Sequence, residues 1–240
     1  MSLYSFIVGA ANFIAFIFPL TYTITVENLS PRLGTCQSPV WIGIQSRGAF
    51  DIYDLNEPAA PFLESIAEDG ATALISRAFL ASPAPEADGT AGSANFCSGE
   101  KVSFRFRLRA RRGTTFYLSY ASMVLPSNDA FVANGNPLEH KFIDPNGRLV
   151  LKPFVVKGSE VLDAGTEVND EIPENTAMLG QMEPNTGYDE FGVVSRHPGF
   201  MQRGNILSAP DHVNADFTRR GFNMIRVSAT VSFWGKILKY

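Results

Sequence analysis

The chain has 240 residues, 45% of them hydrophobic and 18% charged, which supplies one sizeable core and excludes disorder along its whole length. A formal charge of -4 gives no long-range attraction to nucleic acid, and no zinc-finger, helix-turn-helix or RNA-binding aromatic pattern accompanies it. The three histidines match no zinc spacing, and no nucleophile elbow, Walker loop or dinucleotide glycine fingerprint is present, which points away from an enzyme.

The apolar run MSLYSFIVGAANFIAFIFPLT precedes the first charged residue, Glu27, and reads as a secretory signal peptide over residues 1–21. An uncleaved anchor is the competing reading, but Ser5, Gly9, Asn12 and Pro19 make a poor spanning helix. One domain is then expected over residues 22–240, secreted and extracellular, with no membrane contact in its mature form. Its first strand pattern, YTITV, leads into the sequon Asn28-Leu29-Ser30, which permits N-glycosylation at Asn28. Two cysteines in a secreted chain suggest one disulfide, between Cys36 and Cys97; two buried free thiols are the alternative.

Period-two alternation recurs in VWIGIQS, KVSFRFRLRARR and NMIRVSATVSFW and marks half-buried strands of antiparallel sheets. In the last of these, Ile225, Val227, Ala229, Val231 and Phe233 share one face and Arg226, Ser228, Thr230 and Ser232 the other. In the second, Val102, Phe104, Phe106, Leu108 and Ala110 face inward and leave Arg105, Arg107, Arg109 and Arg111 as an outward ladder, roughly 20 Å long. Between them, EPAAPFLESIAEDGATALISRAFL predicts a short helical insertion, with Pro58 and Pro61 at its start and Gly70 ending its first part. The Pro, Gly and Ala stretch SPAPEADGTAGSANF that follows reads as an exposed, mobile loop. Strands with one helical insertion, and no strand-helix alternation, give a β-sandwich.

The stretch DAGTEVNDE, Asp163 to Glu171, then places four carboxylates in nine residues. A solvated acidic loop is one reading and a cation site the other. Calcium takes roughly six to eight oxygen ligands in flexible geometry, which suits loop carboxylates supplemented by carbonyls and water. Asp163 and Glu167 stand four apart with a glycine between them, so the chain can fold to bring both side chains together. Left without a counterion, such a pair repels and one pKa rises. Asp129, in PSNDAF after the strand TTFYLSYASMVL, offers a third carboxylate, and His197, in RHPGF, is expected as a hydrogen-bonded turn histidine.

Four stretches in order, EPAAPFLESIAEDG, YASMVLPSNDAFV, DAGTEVNDEIP and GVVSRHPGF, resemble the spondin N-terminal domain, over approximately Tyr22 to Phe233. The closer likeness is to the stand-alone microbial form of that domain. The resemblance implies an all-β, C2-like antiparallel β-sandwich of about eight strands with one calcium ion (Ca2+) at one end. It assigns the ligands to Asp129, Asp163 and Glu167, the last being Glu where animal members carry Asp, and gives no role to Asn128, Thr166, Asn169 or Asp170. By the same analogy the protein is an extracellular adhesion module that contacts a cell surface, a matrix or a glycan. Self-association into an extracellular structural protein, through sheet edges or the terminal VSFWGKILKY, is the second functional expectation. The ladder Arg105, Arg107, Arg109 and Arg111 is the candidate face for anionic glycans or phosphates, against the alternative of a solvent face paired with acidic residues on the next strand.

Overall fold

The computed structural model describes Phe16, residues 18–233 and residues 236–238. Most of the expected signal segment, and Trp234, Gly235, Lys239 and Tyr240 of the apolar end, lie outside the described residues. The strands are β1 (Leu20–Asn28), β2 (Cys36–Gln37), β3 (Val40–Gln45), β4 (Pro85–Ala91), β5 (Lys101–Leu108), β6 (Phe116–Leu125), β7 (Ala130–Ala133), β8 (His140–Ile143), β9 (Phe154–Lys157), β10 (Leu162–Asp163), β11 (Ser195–Arg196), β12 (Asn223–Phe233) and β13 (Lys236–Leu238). The α-helices are α1 (Pro61–Asp69), α2 (Ala73–Leu80) and α3 (Asn205–Ser208).

Two antiparallel sheets result. One runs β13, β12, β1, β5, with β9 also paired to β12. The other runs β11, β10, β7, β6, β3, β4, with β2 and β8 also paired to β6. The alternation in the sequence decides what lies between them. Tyr22, Ile24 and Val26 from β1 meet Ile42 and Ile44 from β3, Leu118 and Tyr120 from β6, and Phe142 from β8 in one buried cluster. The fold is the all-β sandwich with a short helical insertion that the strand pattern predicts.

β3 is buried on both faces because its other side has a second cover. Trp41 points away from the inter-sheet core into a cluster with Phe50, Leu63, Ile66, Phe79 and Phe131, capped by α1 and α2. Pro61 opens α1, and Gly70 closes it in the left-handed region at φ 64°, returning its N–H to Ile66 O. This face buries Leu63, Ile66 and Ala67 and brings Glu68 with them. Removing the Phe79 ring would cost about 3–5 kcal/mol by the usual cavity argument.

Three local expectations change. The stretch after α2 is not a loop: Pro85–Ala91 is β4, paired along β3. An edge strand tolerates its proline, and Gly89 lies where a Cβ would overlap the Phe104 ring, so the glycine admits close packing between the sheets. The arginine run leaves the strand at Leu108, so Arg105 and Arg107 stand on β5 while Arg109 lies beyond its end and Arg111 pairs with Glu86. Asn28 is no exposed acceptor for a glycan: it is fully buried, and its amide donates to Thr35 O at 3.0 Å and Phe96 O at 3.1 Å. Its Oδ1 accepts from the backbone and hydroxyl of Ser30, so the sequon residues form an internal hydrogen-bonded turn. The disulfide Cys36–Cys97 is formed across a separation of 61 residues.

Candidate metal centre

Asp129 stands just before β7, where residues 126–128 turn the chain out of β6. The Ser127 hydroxyl ties that turn, donating to Val124 O at 2.6 Å and accepting from Ala130 N at 3.1 Å. β10 lies antiparallel beside β7 with Asp163 opposite Ala130, so the two aspartates come from the same end of neighbouring strands. After Asp163 the chain bends at Gly165, whose φ is 69° and whose Cβ, were there one, would lie 2.6 Å from Val193 N. Only glycine fits that bend. From it, Glu190 N donates to Thr166 O at 2.9 Å, Gly192 N to Gly165 O at 2.7 Å and Val168 N to Tyr188 O at 2.8 Å. This backbone pairing delivers Glu190.

Carboxylate oxygens of Asp129, Asp163 and Glu190 lie within 4.8 Å of one another. Asp129 and Asp163 are buried and Glu190 is exposed, so the group reaches solvent on one side. Asp129 Oδ2 accepts from Thr166 N at 2.8 Å, Thr166 Oγ1 at 3.2 Å and Glu167 N at 3.1 Å. Its Oδ1 is buried and has no hydrogen-bond partner among the described residues. Burial, with the charge of Asp163 beside it, pushes the Asp129 carboxyl up to about 7. Burial and Asp163 also raise Glu190.

Asp163 is held from the other side. Its Oδ1 accepts from Gly165 N at 2.8 Å and its Oδ2 from Asn169 Nδ2 at 2.6 Å. Asn169 Oδ1 lies 3.2 Å from His197 Nε2, and His197 Nδ1 accepts from Gly199 N at 3.0 Å. The Gly199 N–H fixes Nδ1 as the acceptor, so the ring proton sits on Nε2 and every bond in the chain from Gly199 to Asp163 points towards the carboxylate. Burial lowers His197 to about 4 against the pull of Asp163, which keeps the ring neutral. His197 is thus the hydrogen-bonded turn histidine expected from RHPGF.

Of the three expected ligands, Asp129 and Asp163 come together and Glu167 turns aside. Its Oε1 accepts from Gly187 N at 2.9 Å, and its buried Oε2 has no partner among the described residues. Gly187 lets the carboxylate come that close, since a Cβ would push the Glu167 side chain away. Burial, then the charge of Glu68 on α1, pushes Glu167 up to about 8, and burial pushes Glu68 up to about 7. The part of Glu167 that touches Asp129 is its backbone N–H. Asp170 is committed within its own loop, accepting from Ile172 N at 2.8 Å and Asn175 Nδ2 at 3.0 Å. Glu171, at φ 51°, reaches inward to accept from Met201 N and Ile206 N.

Chemically, the group is an all-oxygen donor set with one bare buried carboxylate oxygen and one solvent-facing side. No histidine or cysteine enters it. Such a set fits a hard divalent cation, calcium or magnesium, and not a soft metal. Glu190 is the member that sequence spacing missed; YDEF shows two acids in a row, but only the pairing with residues 165–168 reveals which one turns in. No protein-family model matches the chain, and no curated protein matches it.

Proposed function

We propose that this protein is a secreted, calcium-binding β-sandwich module that works as an extracellular adhesion or surface-binding protein. Asp129, Asp163 and Glu190 hold the ion. The observation that carries this reading is Asp129 Oδ1, a buried carboxylate oxygen without a partner that has two further carboxylates within 4.8 Å. A bare anionic oxygen out of water costs several kcal/mol, so it must be neutralised by a proton, as the rise of Asp129 to about 7 records, or by a cation, and the two further carboxylates beside it favour the cation. Three carboxylates around a divalent ion leave a local charge of about -1, which favours binding without drawing in every nearby acid.

Two further points support the reading. The likeness of PSNDAF and DAGTE to the spondin N-terminal domain would give Asp129, Asp163 and Glu167 ligand roles, and it agrees with the geometry on the first two. The disulfide fits an oxidising compartment, and among the described residues no helix is long and apolar enough to cross a membrane. At the millimolar calcium of extracellular fluid even a weak site fills, so the ion would pin the loops of residues 126–129, 163–170 and 186–192 together. The test is the melting temperature in millimolar calcium, in EGTA and in magnesium. A rise specific to calcium supports the reading; equal melting in all three, with metal analysis finding no ion, overturns it.

A further inference from the structure

We propose that the outer face of the sheet containing β12, β1 and β5 binds an acidic polysaccharide, and that Arg105 and Arg107 take its carboxylate or sulfate groups. This face belongs to the opposite sheet from the metal centre, and the proposal does not depend on the ion.

The strand registers order the face as a grid. Ser232, Thr21 and Arg107 form one row, and Thr230, Thr23 and Arg105 the next. Ser228, Thr25 and Ser103 form the third, closed by a hydrogen bond of 3.0 Å between Thr25 and Ser103. The fourth row, Arg226, Glu27 and Lys101, neutralises itself, with Glu27 3.0 Å from Arg226 and 3.4 Å from Lys101. Arg111 is likewise taken by Glu86 and lies over the Phe116 ring. Arg105 and Arg107 differ from these. Both are exposed, both face hydroxyl side chains, and neither has an ion-pair or hydrogen-bond partner among the described residues. The expectation of an acidic strand opposite them is not met.

Over the first two rows lies a depression of about 300 Å³, floored by Thr21, Arg105, Arg107 and Ser232 and walled by Phe18 and Phe233, whose rings are 6.1 Å apart. Phe18 and Thr21 belong to the expected leader and leave with it, whereas Arg105, Arg107, Thr23, Thr230 and Ser232 lie within residues 22–240, so the charged floor survives its removal. Two guanidinium forks sit about 7 Å apart along the strand, each shaped for a planar carboxylate or a sulfate. Rows of hydroxyls between them match sugar hydroxyls. A nucleic acid fits the same guanidinium groups but meets a chain with a formal charge of -4.

The test measures binding of the purified protein to heparin, polygalacturonate, neutral dextran and linear polyphosphate in calcium buffer, across a salt series. The expected result is salt-sensitive binding of heparin or polygalacturonate and none of dextran. The Arg105→Gln/Arg107→Gln double variant should bind on the order of tenfold more weakly or worse, since each substitution removes a charge-assisted fork. Arg226→Gln, on the same face but already paired, should lose less than about threefold. The proposal is overturned if neither polysaccharide binds, if the double variant binds like the parent, or if polyphosphate competes better than both polysaccharides. Because both arginines are exposed and unpaired, the double variant should melt with the parent, which separates lost binding from lost fold.

Discussion

Thr166 N lies 2.8 Å from Asp129 Oδ2, so the loop that follows Asp163 grips the buried aspartate by one oxygen while the other oxygen stays bare. That asymmetry separates what the carboxylate does for the fold from what it does for an ion.

Asp129→Asn should therefore have opposite effects in two buffers. In EGTA the amide keeps an oxygen for Thr166 N and Glu167 N and removes a buried charge beside Asp163, so melting should be unchanged or higher. In calcium the gain seen for the parent should vanish. Asp163→Asn should also lose that gain, and Glu190→Gln should weaken calcium binding by about tenfold with little change in EGTA. Asp170→Asn should keep most of the gain, because its oxygens serve Ile172 and Asn175. Thermal melts of the four variants in both buffers check the set.

A second prediction concerns pH. In the metal-free fold Asp129 and Glu68 are pushed up to about 7 and Glu167 to about 8, while the unfolded chain releases those protons near pH 4. The folded state then holds more protons than the unfolded one between these limits, so stability falls as pH rises through that window. His140 and His197, both lowered to about 4 by burial, act the other way: the unfolded chain takes up their protons first below about pH 6.5, and stability is lost from there down towards 4. From pH 6.5 to 8 the three carboxyls outweigh the two histidines, whose unfolded forms release their remaining protons over the lower part of that interval. Melting temperature in EGTA should fall across that interval and should fall less steeply in calcium, where an ion replaces the proton on Asp129; a level or rising profile in EGTA would sink the idea.

Asn169 gives a third. It joins His197 to Asp163 and holds Asp163 Oδ2 at 2.6 Å. Asn169→Ala leaves all three carboxylates in place but frees one to turn, and outer partners of this kind usually matter about 10–100-fold in metal affinity. Calorimetric titration should find weaker calcium binding with the stoichiometry kept, and a variant that binds like the parent would remove Asn169 from the account.

Asn28 gives a fourth. Mass spectrometry of protein made in a glycosylating host should find the folded fraction unmodified at Asn28, whose amide is spent on Thr35 O and Phe96 O. Asn28→Ala removes one donor from each of those carbonyls, which keep Ser30 Oγ and Gln37 N, and leaves the Ser30 N–H without its partner in a buried place, so it should cost about 1–3 kcal/mol by chemical denaturation. A fully glycosylated, normally stable protein would contradict the buried geometry.

The sequence made the long strands legible because one face of each meets the core, as in β1, β5 and β12, where alternation and burial coincide. It made the helical insertion legible through Pro61 and Gly70, which have local work to do. β4 escaped because its residues have weak strand propensity and depend on pairing with β3. Asp129 and Asp163 stand in recognisable turns. Glu190 and the turning aside of Glu167 were not legible, because both follow from the pairing of residues 165–168 with 188–192, a long-range contact that spacing along one stretch does not record. Glu171 escaped for a similar reason: a buried acid whose partners are backbone N–H groups 30 and 35 residues away has no local signature.

The most direct test of the account is an equilibrium calcium titration of the parent protein beside Asp163→Asn, by calorimetry after removal of metal. The account predicts one ion per chain for the parent and binding lost or weakened by at least about tenfold in the variant. No binding by a metal-free, folded parent, or equal binding by both proteins, would contradict it.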